Sequence, residues 1–261
     1  MEEYHDILSV SEIIHAVQEA LVLHGDIDVL TITANGEPTL YPHLLELIRE
    51  INTIKGNTKT LILSNGSTIS DPATKEALLL IDTVKLSLDC VTHKCLKKID
   101  RMHTGIEIEA IKAGMLDFKA QTAHPLIIEI LVVSGINDKA DEIKALDAYL
   151  LQLSPDRIDL GTIDRPPAYA VKPIGYEKLL ELSRLFDPSL PVHITQRKRV
   201  ASKPSAYTDK EIIATLKKRP LTADDIAILF DKGSQKRLRK LLDENKIIET
   251  DNNGVIFYKI A

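Results

Sequence analysis

The 261-residue chain has 44% hydrophobic but only 4% aromatic residues and a net charge of -5, a composition that supports a sizeable core packed from Leu, Ile and Val. No run approaches the about 18 apolar residues of a membrane span, and the acidic start Met-Glu-Glu-Tyr-His-Asp excludes a signal peptide, so a cytoplasmic chain with no membrane partner is expected. Two cysteines exclude a disulfide framework, and the charge is split: residues 196–261 hold 15 Lys and Arg against 9 Asp and Glu (+6), the other 195 hold 18 against 29 (-11).

Apolar periodicity predicts helices near 10–24, 42–54, 71–80, 105–121, 138–152 and 175–187. Between them lie β-branched runs near 28–34, 59–64, 83–88, 126–133, 157–162 and 191–195, read as strands. Such alternation builds a parallel sheet with helices outside. Asp71-Pro72 and Asn137-Asp138 read as helix entries, with Pro72 at the first helical position. After a linker at 196–206, residues 207–261 form a second module. Helices at 209–218, 222–230 and 234–244 precede a hairpin of 247–250 and 255–258 turning at Asn252-Asn253-Gly254, an order that reads as a winged helix.

Chemistry-bearing residues cluster where strands end. Gly36-Glu37-Pro38 closes the first strand: Gly36 permits a tight backbone approach, Pro38 stiffens the exit, and Glu37 is held at a strand's C-terminal end, where α/β folds bind ligands. Ser64 and Asn65 end the second strand as ligand donors or as a turn. Ser87 and Asp89 share one face of the third, pointing at a ligand unless Asp89 caps the next helix. Glu129 sits among Ile and Leu, so it either faces the lumen or pairs with a base such as Arg165. Asn137 contacts a ligand or caps a helix, and Arg165 binds an anionic substrate group or forms a structural ion pair. Lys236, Arg237, Arg239 and Lys240 on the third C-terminal helix are a nucleic-acid surface or a solvated face. Cys90, His93, Cys95 and His103 have irregular spacing for zinc, so Cys90 and Cys95 read as buried free thiols.

Asn-Gly-Glu-Pro-Thr-Leu at 35–40 resembles the S-adenosylmethionine motif of radical S-adenosylmethionine (radical SAM) enzymes. Leu63-Ser64-Asn65-Gly66-Ser67, Leu86-Ser87-Leu88-Asp89, Val132-Val133-Ser134-Gly135-Ile136-Asn137-Asp138 and Pro155 to Leu160 followed by Arg165-Pro166-Pro167 agree in order. Together, over roughly residues 4–195, they resemble the wybutosine-synthesis-like iron-sulfur oxidoreductase branch. The resemblance implies a partial (β/α)6 barrel over 1–195, lacking its first strand and cluster loop. It also implies an S-adenosylmethionine site at Gly36, Glu37, Pro38, Ser64, Asn65, Ser87 and Asn137, with Asp89, Glu129 and Arg165 facing substrate. The implied cofactors are S-adenosylmethionine and a [4Fe-4S] cluster, which generate a 5′-deoxyadenosyl radical, and the implied partners are a reductant protein and RNA or DNA.

The C-x3-C-x2-C cluster loop of that family is absent. The expectation is a chain truncated at its N-terminus and inactive alone; the alternative is a non-catalytic, metabolite-sensing barrel whose winged helix binds DNA. A Schiff-base aldolase finds only Lys85 in its favour. No P-loop, Gly-x-Gly-x-x-Gly or Gly-x-Ser-x-Gly motif supports nucleotide hydrolysis or esterase chemistry.

Overall fold

The computed structural model describes residues 7–25, 27–34, 36–99, 105–163, 170–195, 204–218, 220–252 and 255–261. The chain divides into two compact units, one of residues 1–162 with 174–195, the other built mainly of residues 196–261.

In the first unit the β-branched runs form a six-stranded, all-parallel sheet. Strands β1 (Val29–Ile32), β2 (Lys59–Ser64), β3 (Thr83–Ser87), β4 (Leu126–Val132), β5 (Arg157–Thr162) and β6 (Val192–Ile194) lie in chain order, each hydrogen-bonded to the next. The intervening helices are α1 (Val10–His24), α2 (Leu44–Ile54), α3 (Pro72–Leu79), α4 (His93–Ile99), α5 (Ile108–Gln121), α6 (Ala140–Leu153) and α7 (Tyr176–Ser183). All six predicted strands form, and differences from expectation are mainly at element ends, where capping decides the boundary. Among the described residues β1 and β6 each have one strand neighbour and form the two edges of the sheet.

Strand alternation divides the sheet into two faces. Along β4, Leu126, Ile128, Ile130 and Val132 are buried, while Ile127, Glu129 and Leu131 are half-buried. The buried face meets Leu47, Ile48 and Ile51 of α2, Ile111, Met115 and Phe118 of α5, and Ile143, Leu146 and Leu150 of α6 in one core. The other face carries Leu61, Leu63, Lys85, Ser87, Glu129 and, on the edge strand, the exposed His193.

Helix starts follow local chemistry. Ser9 and Glu12 form a capping box on α1. Asp71 accepts from Thr74 N at 2.8 Å and Pro72 opens α3, as expected. The entry expected at Asn137-Asp138 does not form: Lys139 occupies the α6 N-cap without a side-chain cap bond, because Asn137 and Asp138 bond within the preceding loop.

Asp82 pins the start of β2 to the loop before β3. It accepts from Thr60 N and Thr60 Oγ1, both at 2.9 Å, and pairs with Lys55 and Lys59. Burial pushes its carboxyl up, but Lys55, Thr60 and Lys59 outweigh this and hold it well below the usual carboxylate range. A depressed folded pKa contributes stability above the unfolded value of about 3.8, and that contribution is lost as pH falls through the folded value. Asp82→Asn is therefore expected to cost about 2 kcal/mol near neutrality, the scale of hydrogen bonds to a charged group. Urea denaturation of both proteins from pH 7 to pH 2 should show the difference shrinking only below about pH 4.

The second unit contains α8 (Asp209–Lys218), β7 (Leu221–Thr222), α9 (Ala223–Leu229), α10 (Lys232–Asp243), β8 (Ile247–Asn252) and β9 (Val255–Ile260). Its antiparallel sheet has the order β7-β9-β8. Ile212, Leu216, Leu221, Ile226, Phe230, Leu238, Leu241 and Ile247 form a separate core. The sequence missed β7, because two residues show no alternation. It placed the start of α10 two residues late, although Asp231, which accepts from Ser234 N at 2.7 Å, is a cap of the expected type.

Candidate functional site

The C-terminal ends of β1 and β2 are joined by one side chain. After β1, Glu37 caps a 3-10 turn at Pro38–Leu40, its Oε1 accepting from Thr39 N at 3.1 Å and Thr39 Oγ1 at 2.7 Å. Its Oε2 accepts from Asn65 N at 2.7 Å, just beyond β2. The Thr39 hydroxyl also meets that of Thr68, so two contacts bind the loops together. Glu37 is thus primarily a structural clamp. Each carboxylate oxygen has two acceptor sites, so Oε1 is filled and Oε2 retains one.

Glu37→Gln would set an amide N–H₂ against the Asn65 N–H, because Oε1 must stay on Thr39. We expect a loss of about 1–2 kcal/mol, the cost of an unsatisfied donor, measurable by urea denaturation.

At the β2 exit the sequence-predicted donors have mostly local partners. Ser64 is buried, and its Oγ accepts from Gly66 N at 3.0 Å; Asn65 Oδ1 accepts from Ser67 N at 2.8 Å. These bonds are the Asx-type turn that was one of the two readings. Gly66 is required there: its φ is +70°, and an added Cβ would lie 2.9 Å from Met115 Cε. Asn65 is exposed, and its Nδ2 has no hydrogen-bond partner among the described residues. Gly36 is exposed, with nothing within 4 Å of where a Cβ would stand. Ser87, at the end of β3, is also exposed.

Two other predicted site residues are corrected. Asp89 is 9% exposed and its Oδ1 accepts from Leu131 N at 2.7 Å, which commits that oxygen to the β4 exit. Asn137 is fully buried. Its Oδ1 accepts from Val133 N at 2.7 Å, and its Nδ2 donates to Asp89 O and Leu131 O, both at 2.9 Å. Past the last regular ladder bond, these two side chains replace backbone pairing between the exits of β3 and β4. Asn137 therefore locks two strands, with both side-chain atoms engaged and fully buried.

Glu129 pairs with Lys85 Nζ at 2.6 Å, not with Arg165, which lies outside the described residues along with Asp164. Lys85 Nζ is also 3.0 Å from Asp159 Oδ2, and Asp159 Oδ1 accepts from Arg157 Nε at 2.6 Å. Strand register sets this lattice, since Glu129 stands opposite Ser87 on one side and Asp159 on the other. Burial lowers the Lys85 pKa, but hydrogen bonds and charge from Glu129 and Asp159 outweigh it, and the net shift is upward. A lysine held cationic is a poor amine nucleophile, which removes the support for a Schiff base.

Cys90 and Cys95 also depart from expectation. Both are buried as expected, but they form a disulfide, with Cα atoms 5.9 Å apart. The turn from β3 into α4 folds the five-residue spacing back on itself. Among the described residues no group of three or more His, Cys, Asp or Glu is placed to hold a metal, and no helix is long and apolar enough to cross a membrane.

A model of the Radical SAM superfamily matches residues 1–146, from before α1 into α6, and so covers every strand exit from β1 to β4. The chain belongs to the radical SAM superfamily. A UPF0026 protein of Helicobacter pylori is 38% identical over 263 residues, covering 99% of this chain and 84% of that protein. A UPF0026 protein of Methanocaldococcus jannaschii is 25% identical over 268 residues, 98% of this chain and 82% of its own length. Among solved structures, a radical SAM methyltransferase from Sphaerobacter thermophilus aligns with TM-score 0.54 at 14% identity, covering 74% of this chain and 58% of its own. A domain of a pyruvate-formate lyase-activating enzyme from Bacteroides vulgatus aligns with TM-score 0.51 at 16% identity, over 64% of this chain and 98% of that domain. Both share the fold of the parallel sheet.

Membership in the radical SAM superfamily implies S-adenosylmethionine and an iron-sulfur cluster. The residues of this radical SAM protein do not fit the cluster: its two cysteines are buried and bonded to each other, where three thiolates are needed. They do fit the methionyl end of S-adenosylmethionine. The spare Oε2 acceptor of Glu37, the exposed Asn65 amide and the open space beside Gly36 lie at two strand exits joined by one clamp.

Proposed function

We propose that the sheet unit is the S-adenosylmethionine-binding part of a wybutosine-synthesis-like iron-sulfur oxidoreductase. The observation that carries this reading is the Glu37 clamp, which fixes the Gly36–Pro38 loop against the β2 exit while leaving ligand-facing groups open. A ligand ammonium would meet Glu37 Oε2 and the adjacent backbone, a carboxylate would meet Asn65 Nδ2, and Ser87 would reach a ribose hydroxyl. A cluster held by three thiolates would supply the electron for radical chemistry on S-adenosylmethionine, and the residues of this chain would supply only the binding of that compound. Cys90 and Cys95 are bonded to each other and are not among the thiolates such a cluster needs, and the Lys85–Glu129–Asp159 lattice lies on the same face of the sheet as Ser87.

The second unit is a winged helix in this reading. Its support is the order α8-β7-α9-α10-β8-β9 with the sheet order β7-β9-β8.

Anaerobic reconstitution with iron and sulfide tests the reading. The 261-residue chain is expected to take up no cluster and to cleave no S-adenosylmethionine. The chain extended ahead of α1 by a C-x3-C-x2-C loop is expected to bind a cluster and release 5′-deoxyadenosine. A folded, extended protein that does neither overturns the reading.

A further inference from the structure

The basic residues of α10 are not equivalent, although the sequence groups them together. Arg237 is used internally: its Nη1 donates to Tyr207 O at 3.0 Å, and its Nε lies 3.9 Å from Asp209. Lys240 lies 3.6 Å from Glu244. Lys232, Lys236 and Arg239 are exposed and have no ion-pair partner among the described residues. Spaced by four and three, they fall in one stripe over the first turns of the helix, and Asp243 closes that stripe toward its C-terminus.

The helix behind the stripe is held rigidly. Ser234, Leu238 and Leu241 are buried on the opposite face, and the Ser234 hydroxyl accepts from Tyr207 N at 2.6 Å. Three neighbouring carboxylates are taken up elsewhere: Asp231 caps α10, Glu211 bonds the Thr208 hydroxyl and Asp225 that of Thr222. Asp243, on the stripe itself, offsets part of the charge at its C-terminal end, and the three exposed cations leave a net positive stripe of the chemistry that meets polyanion phosphate.

We propose that this stripe binds the phosphate backbone of duplex DNA, with little base specificity. Shape selects the duplex type. A helix with its side chains is about 10–12 Å across, which matches the roughly 12 Å major groove of B-form DNA. The major groove of A-form RNA is too narrow and deep to admit it. Weak base readout follows because Gln235, the helix's one side-chain amide, already donates to Phe230 O at 2.8 Å. This inference is independent of the cofactor reading, since it concerns the other unit.

Fluorescence anisotropy with the full chain across a salt series tests it, using a 20-base-pair DNA duplex, an RNA duplex of the same sequence and a tRNA. Arg197, Lys198, Arg199 and Lys203 lie ahead of α8 in the sequence and add their own phosphate affinity, so the readout is a change in salt slope. DNA is expected to bind best, and the triple variant Lys232→Ala, Lys236→Ala, Arg239→Ala is expected to reduce the log–log salt slope by about 2.7, from 0.9 per phosphate contact. The control Arg237→Ala should leave the slope unchanged, and matching thermal melts should show that both variants fold. An unchanged slope in the triple variant, an equal loss in the control, or tighter binding to either RNA overturns the proposal.

Discussion

Replacing Asn137 by Ala should cost the sheet unit about 3–5 kcal/mol, with a fall in Tm of roughly 10 °C for a unit of this size. One substitution leaves Val133 N without its acceptor and both Asp89 O and Leu131 O without their donor, in a place where Asn137 is fully buried. Each unsatisfied buried group costs about 1–3 kcal/mol, and water entering the new space recovers part of the total. Asn137→Asp is the informative companion. It keeps the acceptor for Val133 N but turns a carboxylate oxygen toward two carbonyls, so it should be about as damaging. Were Asn137 a cofactor ligand with little structural role, both variants would melt like the parent and fail only in binding. Differential scanning calorimetry separates the two cases.

Lys85→Met should cost about 2–4 kcal/mol near neutral pH, because it strands two carboxylates that one ammonium now holds together. The loss stays below the largest values for broken buried pairs because Arg157 remains on Asp159 and Glu129 is half-exposed. Its pH dependence has a definite sign. In the parent, the Lys85 pKa is raised, so its contribution is complete below the unfolded value of about 10.4 and is lost only as pH rises through the higher folded value. The variant lacks that contribution throughout the same range, so its deficit should be full up to about pH 10 and shrink above it. Adding Glu129→Gln to Lys85→Met should restore part of the loss at pH 7. Denaturant titrations from about pH 7 to about pH 11.5 measure all of this, and a deficit that does not shrink above about pH 10 would assign the loss to packing alone.

These two residues show how far the chain is legible without coordinates. Strands such as Leu126–Val132 were readable because burial on alternate positions dictates β-branched and aliphatic residues there. The entry at Asp71-Pro72 was readable because an N-cap followed by proline is a local signal. Asn137 was misread because a polar residue after a strand gives the same sequence signal whether it faces a ligand or locks a neighbouring strand. Only the 48-residue contact to Asp89 distinguishes the two. Lys85, Glu129 and Asp159 are drawn together by cross-strand register, which no local window contains. Glu37 was rightly placed at a strand exit, but its bond to Asn65 N spans 28 residues and makes it a clamp first.

The disulfide follows the same logic. Cys90 and Cys95 were expected to be buried, and they are; the reversal of chain direction between β3 and α4 that brings the sulfurs together leaves no sequence mark. The unequal basic residues of α10 are a further case, because partners on Tyr207, Asp209 and Glu244 separate Arg237 and Lys240 from the exposed stripe.

The central claim is that the β1 and β2 exits hold the methionyl end of S-adenosylmethionine, and the most direct measurement is an NMR titration of the ¹⁵N-labelled chain with that compound. Without a cluster to chelate the amino and carboxylate groups, the expected Kd is on the order of 1 mM, or about -4 kcal/mol. Shifts should be concentrated at the amides of Gly36, Asn65, Gly66 and Ser87. Gly36→Val should abolish them while leaving the melting temperature unchanged, because the space beside Gly36 is open. Shifts confined to other residues, or micromolar affinity without iron that survives Gly36→Val, would contradict the account.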